Sequence, residues 1–194
     1  MKIGILALQG NYHQHKKVID ILGIQNTFIR HANELDKCDS LIIPGGESTT
    51  ISKQIDNNNL RNILTEYSTT NPIMGTCAGM IMLSSSVPTD NMMPLNVMDF
   101  QVERNAWGRQ IHSFSANIDL EFDRDRSFHA VFIRSPKISK ISRDLEILSM
   151  YNNEPILLSD GMHLVSTFHP EIGNDYRIHE YFTNKVNEKI LTVK

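Results

Sequence analysis

The feature that most constrains the fold is the alternation of apolar strand-like segments with helix-like segments over residues 1–85. Strands are predicted at 2–8, 26–31, 40–46 and 72–76, with helices at 11–24 and 48–70, a break at 57–59, and a further helix directly after Cys77. Strands that are continuously apolar are typical of a parallel sheet covered on both faces. We therefore expect an α/β fold, a three-layer sandwich with a mainly parallel central sheet.

The pattern changes after about residue 95, where short strand-like runs replace the alternation. They lie at 96–105, 111–122, 129–135, 145–152, 155–160 and 163–171, and a last helix is predicted over 176–191. No repeat, low-complexity linker or second boundary is visible in the sequence. We expect a single domain over residues 1–194.

Charge and composition exclude several classes of function. The net charge is -3 and basic residues are scattered, so we expect no nucleic-acid partner. No stretch reaches the roughly 18 apolar residues of a membrane span, and the first ten residues favour a buried strand over a secretion signal. The two cysteines lack metal-ligand spacing, so we expect no metal and a reduced, cytoplasmic compartment.

The strongest candidate for chemistry is Cys77, in Gly-Thr-Cys-Ala-Gly between a predicted strand and a predicted helix. This is the form of a nucleophile elbow, in which a tight turn lifts the nucleophile above the sheet edge. Helix amides aimed at the sulfur favour the thiolate and can receive an oxyanion. The alternative is a small buried cysteine before a helix. Cys38 lacks this setting, and we expect it to be structural.

A thiolate nucleophile needs a proton shuttle, and His169 is the best candidate of the eight histidines. It ends an apolar strand, and the proline after it favours extended backbone. Residues two apart in extended chain share a side, so Glu171 can orient the imidazole. The alternative is a surface His-Glu pair.

A third segment, Pro-Gly-Gly-Glu-Ser-Thr at 44–49, ends a parallel strand in two glycines and then opens a helix. Backbone amides at the carboxyl end of such a strand are exposed to ligands. The alternative is an ordinary turn with a serine cap. The glycine patterns of a P-loop and of a dinucleotide-binding fold, which bind phosphate, are both absent from the sequence.

Taken in this order, the three segments resemble the class I (triad) glutamine amidotransferases, whose fold is flavodoxin-like. More narrowly, the chain resembles the glutaminase subunits of pyridoxal 5'-phosphate synthases. The segments that carry this resemblance are LALQG, PGGESTTI, RNAWGRQ, FIRSP and RIHEYF, at 6–10, 44–51, 104–110, 132–136 and 177–182. Trp107 stands where phenylalanine is usual, and 86–95 matches less well.

The resemblance implies glutamine hydrolysis without a metal or organic cofactor. Cys77 would attack the amide carbon, and His169, oriented by Glu171, would protonate the leaving ammonia and then activate water. Backbone amides of Gly46 and Ala78 would hold the oxyanion. The residues implied to bind glutamine are Gly46, Glu47, Ser48, Arg104, Ile133 and Arg134. The guanidinium groups of the two arginines suit the α-carboxylate, although each could instead form a structural salt bridge.

The resemblance also implies a partner, a synthase subunit with a (β/α)₈ barrel that receives the ammonia. In the family a glutaminase docks on each of twelve synthase subunits. Gln9 and Asn11 follow the first strand at the same sheet edge as Cys77, so we expect residues 8–15 to face the partner. A peptide flip near Gly45 and Gly46 could complete the oxyanion hole on docking.

Three alternatives stay open at this point. One is another amidotransferase of the same fold, such as the one serving imidazole glycerol phosphate synthase. A second is a protein that only docks on its partner and has no activity. The third is a related fold family of cysteine hydrolases and chaperones, whose histidine follows soon after the cysteine; here the next histidine after Cys77 is His112.

Overall fold

The computed structural model describes residues 1–88, 92–104 and 113–192. The strands in these residues are β1 (Lys2–Leu6), β2 (Gln25–Ile29), β3 (Ser40–Ile43), β4 (Ile73–Thr76), β5 (Phe100–Glu103), β6 (Ser113–Leu120), β7 (Asp123–Ile133), β8 (Lys137–Ile141), β9 (Glu146–Tyr151), β10 (Glu154–Ser159) and β11 (Leu164–Ser166). The helices are α1 (Tyr12–Ile21), α2 (Ala32–Leu35), α3 (Ser48–Asn57), α4 (Arg61–Ser68), α5 (Ala78–Leu83) and α6 (Arg177–Thr192).

The central sheet has seven strands in the order β2-β1-β3-β4-β11-β10-β9. The first five are parallel to one another; β10 pairs antiparallel with β11, and β9 pairs antiparallel with β10. Two smaller antiparallel sheets pair β5 with β8 and β6 with β7. The predicted mainly parallel sheet is therefore confirmed.

The five parallel strands supply side chains to two separate cores, because successive residues of a strand point to opposite faces. In β3, Leu41 and Ile43 belong to the core that contains residues of α3, α4 and α5, whereas Ile42 belongs to the core that contains residues of α1 and α6. Helices thus cover both faces, and the predicted three-layer arrangement is confirmed.

Strand β8 and the first half of β7 were not predicted from the sequence. The β8 sequence, Lys-Ile-Ser-Lys-Ile, has two lysines and forms a two-stranded sheet with β5 outside the central sheet. The β7 strand begins at Asp123 and not at 129. Its first half was not predicted because residues 124–127 are exposed and polar in the hairpin with β6, so they show no apolar run. Most of the RNAWGRQ segment, including Trp107, lies outside the described residues.

The carboxyl ends of the parallel strands bring the three predicted segments to one edge of the sheet. Gly45 follows β3, Cys77 follows β4 and His169 lies just beyond β11, and these strands are neighbours in the order β3-β4-β11. In open α/β sheets this edge is where ligands bind. Over residues 1–88, 92–104 and 113–192, the helices are all too short or too polar to cross a membrane.

Candidate active site

Cys77 occupies a strained turn between β4 and α5. Its backbone has φ 49° and ψ -103°, a conformation that residues other than glycine rarely adopt and that clusters at functional sites. A Cβ atom on Gly79 would lie 1.9 Å from the carbonyl oxygen of Ile43, so α5 can pack this closely on β3 only with glycine there. The turn is held on its other side by the Cys77 amide, which donates to the Ser166 carbonyl at 2.8 Å.

His169 lies between Cys77 and Glu171. Its Nδ1 is 2.7 Å from Glu171 Oε1, and Cys77 on its other side is close enough to raise the pKa of the imidazole. Since Nδ1 is engaged by the carboxylate, Nε2 is the ring nitrogen left to exchange a proton with the sulfur. Glu171 is only 3% exposed and His169 only 5%. The arrangement is a buried relay from carboxylate to imidazole to sulfur.

Charges in this relay shift two pKa values in opposite directions. Burial lowers the His169 pKa, but hydrogen bonds and charge interactions with Cys77 and Glu171 outweigh burial and raise it to about 10. Burial raises the Glu171 pKa, but His15 and His169 outweigh burial and lower it to about 2. At neutral pH the pair is therefore an imidazolium and a carboxylate.

A cavity of about 380 Å³ opens beside the relay, within the size range of small-molecule sites. All of the sequence-predicted site residues except Glu171 line it: Gly46, Glu47, Ser48, Cys77, Ala78, Arg104, Ile133, Arg134 and His169. Glu171 lies behind His169 and borders a second cavity of about 410 Å³, which Asn11, Gln14 and Lys17 also line.

The turn after β3 is held by hydrogen bonds from two other loops. The Gly45 amide donates to Thr76 Oγ1 at 3.0 Å, and the Gly45 carbonyl accepts from the Asn11 amide at 2.9 Å. The Glu47 amide donates to Gln9 Oε1 at 2.8 Å. Because the peptide bond is trans, the Gly46 amide points away from Asn11. A flip of this peptide would break the bond to Asn11.

The two predicted arginines differ in their surroundings. Arg104 donates to Glu47 Oε1 at 3.2 Å and to Thr49 Oγ1 at 3.1 Å, so its guanidinium already has a carboxylate neighbour. Glu47 in turn caps α3, accepting from the amides of Thr49 and Thr50. Arg134 is exposed, and its backbone has φ 44°, again a conformation that favours glycine. Arg134 is thus the better placed cation for an incoming carboxylate.

Three buried polar residues behind the relay were not predicted from the sequence. His15 on α1 and His179 on α6 are both 0% exposed, and Thr76 precedes Cys77 at the end of β4. The helical periodicity could have identified the two histidines as buried. Each lies on the apolar face of its helix, three positions before a buried apolar residue, Val18 or Phe182.

A parallel sheet with a strained cysteine turn, a histidine-carboxylate pair just after the neighbouring strand and a glycine turn on the other side defines the class I glutamine amidotransferases. A family model described as "SNO glutamine amidotransferase family" matches residues 5–188. The chain belongs to this family, which confirms the class expected from the sequence motifs.

Curated relatives and solved structures agree with this assignment. A relative from Thermosipho africanus, "Pyridoxal 5'-phosphate synthase subunit PdxT", is 42% identical over 97% of this chain and 100% of its own length. One of the same name from Francisella tularensis is 41% identical over 93% and 97%. A solved glutamine amidotransferase superimposes with a TM-score of 0.90 at 37% identity, covering 95% and 98%. PurLQS from Thermotoga maritima, at 14% identity and a TM-score of 0.66, shares the fold, covering 99% and 97%.

Proposed function

We propose that the chain hydrolyses L-glutamine to glutamate and ammonia at Cys77 and passes the ammonia to a synthase subunit that makes pyridoxal 5'-phosphate. The observation that carries the proposal is the buried relay of Glu171, His169 and Cys77 beside a cavity of about 380 Å³. The name of the curated relatives supports the destination of the ammonia.

The relay performs both halves of the reaction. The Cys77 thiolate attacks the side-chain amide carbon of glutamine and forms a carbon–sulfur bond. His169 gives its Nε2 proton to the leaving nitrogen, the carbon–nitrogen bond breaks and ammonia departs. The neutral imidazole then takes a proton from water, whose oxygen attacks the thioester and releases glutamate and the thiolate. Glu171 keeps the imidazole oriented throughout.

Backbone amides of Ala78 and Gly46 are the proposed oxyanion donors. Ala78 directly follows Cys77 at the first position of α5, where helix amides lack intrahelical partners. The Gly46 amide belongs to the peptide whose carbonyl is held by Asn11. Two such donors aimed at the developing charge lower the barrier more than they stabilise the bound substrate.

Glutamine would be held by its α-carboxylate and α-amino groups in the rest of the cavity. The exposed Arg134 suits the carboxylate, and Glu47 suits the ammonium group. Arg104 would fix Glu47 and add positive charge nearby. Ser48 and Ile133 complete the proposed glutamine site.

We further propose that the whole chain is one amidotransferase domain that works in the cytoplasm. The family match over residues 5–188 supports the first point, and two free cysteines support the second. The proposed partner is a (β/α)₈ barrel synthase in a complex of twelve copies of each subunit. The structure narrows the expected docking face of residues 8–15, because His15 is buried. Residues 8–14 are the proposed docking face, since Gln9 and Asn11 hold the Glu47 and Gly45 backbone at the site.

The experiment that tests the proposal is release of glutamate and ammonia from L-glutamine. The chain is assayed alone, with a cognate synthase subunit, and as Cys77→Ala with that subunit. We expect hydrolysis that rises with the synthase and disappears in Cys77→Ala. Hydrolysis indifferent to the synthase would contradict the proposed partner, and hydrolysis that survives Cys77→Ala would contradict the nucleophile.

A further inference from the structure

Behind the relay, two buried histidines form a chain of contacts that the reaction steps above leave unused. His15 Nδ1 lies 3.0 Å from His179 Nε2, and His15 Nε2 lies 3.0 Å from Thr76 Oγ1 and 3.5 Å from Glu171 Oε2. We call His15 and His179 the histidine pair. Through His15, the pair connects α1 and α6 to Thr76, which precedes Cys77, and to Glu171, which contacts His169.

Both histidines of the pair are uncharged at neutral pH. Burial lowers the His15 pKa, and the nearby charge of Glu171 only partly opposes it. Burial and the neighbouring His15 lower the His179 pKa to about 3. Each ring therefore carries one proton, and each contact needs a donor on one side and a lone pair on the other.

Two atoms without partners decide where those protons lie. Over residues 1–88, 92–104 and 113–192, Glu171 Oε2 and His179 Nδ1 are buried and have no hydrogen-bond partner. An ionised oxygen in this position needs a donor, and the ring atom facing it is His15 Nε2. A proton on His15 Nε2 supplies that donor and is shared with Thr76 Oγ1. His15 Nδ1 is then a lone pair and accepts from His179 Nε2.

The opposite placement of the protons leaves unfavourable contacts at both ends of this series, at Glu171 and at His179. If the Thr76 hydroxyl donated to His15 Nε2, a nitrogen lone pair would face the Glu171 carboxylate. His15 Nδ1 would then donate to His179 Nε2, and the His179 proton would sit on Nδ1 as a buried N–H with no partner. Buried unpaired N–H groups are rarer in proteins than buried unpaired acceptors.

We propose that His179 is a positioning residue that holds His15 in the Nε2-protonated tautomer, and that His15 thereby supports Glu171 and Thr76 together. This inference rests on the proposed glutaminase function. Glu171 orients His169, and Thr76 Oγ1 accepts a hydrogen bond from the Gly45 amide. The buried His15 ring therefore stabilises both the proton shuttle, His169, and the turn at Gly45.

The first test reads the tautomers directly in the folded chain, without any assay. The ¹⁵N shifts of the imidazole nitrogens at pH 7 should show His15 and His179 each protonated at Nε2 and bare at Nδ1. A proton on Nδ1 of either ring would overturn the proposal. This measurement decides the arrangement even if a variant fails to fold or the wild type proves inactive on glutamine.

The second test compares His179→Gln with His179→Met. The glutamine side chain can place an N–H near the position of Nε2, whereas methionine has similar length and no donor. With the synthase present, we expect kcat for glutamine hydrolysis to stay within about threefold in His179→Gln and to fall by about 10- to 100-fold in His179→Met, with KM little changed. Equal loss in both variants would indicate packing alone, and no loss in either would exclude a positioning role. No hydrolysis by the wild type would instead refute the glutaminase.

Discussion

At the scale of single residues, the sequence predicted the members of the proposed triad but not the buried residues that contact them. Cys77, His169 and Glu171 could be found because glycines, a proline and strand ends mark them in the chain. His15 and His179 could not be assigned a role, since the contact between α1 and α6 depends on the tertiary packing of helices 164 residues apart in sequence.

The first residue-scale prediction concerns Glu171→Gln. The variant keeps the size of the side chain but removes the charge that raises the His169 pKa. We expect kcat to fall by about 10³-fold or more and the alkaline limb of its pH profile to move to lower pH, because His169 loses its proton earlier. Initial rates of glutamate release between pH 6 and 10 test this. An alkaline limb that stays in place would contradict the raised pKa.

The second concerns acid stability. The His179 pKa is about 3 in the folded chain and about 6.5 when unfolded, so the unfolded chain binds the proton first and stability falls as pH falls below 6.5. When the pH is lowered from 7 to 5, the free energy of unfolding should fall in the wild type. In His179→Gln we expect this fall to be smaller, by up to about 2 kcal/mol. Urea unfolding at both pH values measures this. The exposed His129→Gln serves as control and should behave like the wild type.

At the scale of elements, apolar runs and helical periodicity located the central sheet and its covering helices. The break at 57–59 separates α3 from α4, as predicted. β8 was missed because a strand with little apolar content on the molecule's periphery carries no clear periodicity.

The element-scale prediction is the cost of a methyl group where α5 crosses β3. Gly79→Ala places a Cβ against the Ile43 carbonyl and forces the helix off the sheet, which we expect to cost about 3 kcal/mol or more. Gly161→Ala is the control, since its Cβ meets open space and the cost of its positive φ is about 1–2 kcal/mol. Thermal unfolding of both variants should rank them in this order; a Gly79→Ala variant as stable as Gly161→Ala would contradict the close packing.

At the scale of the whole molecule, the parallel topology explains why three distant motifs converge, since parallel strands end at one edge. The sequence predicted this convergence and the class of protein. It did not predict that Arg104 would contact Glu47, because a salt bridge between residues 57 apart depends on how two loops meet.

The prediction at this scale concerns docking. Lys17 is exposed on α1 and lines the second cavity near Asn11, whereas Lys37 is exposed in the turn before β3, at the opposite end of the strands. We expect Lys17→Glu to weaken binding of the synthase subunit by about tenfold or more and Lys37→Glu to leave it unchanged. Titration calorimetry gives both affinities. Equal affinities of the two variants for the synthase subunit would contradict a docking interface at α1.

The two thiols of the chain also give a means of counting competent molecules. Cys77 lines the cavity of about 380 Å³, whereas Cys38 is buried in the core below β1 and burial raises the pKa of its thiol. A small electrophile shaped like glutamine should add once to a native molecule and twice to an unfolded one. Intact mass spectrometry of a labelled sample would then report the fraction of native chains in any preparation, independently of turnover.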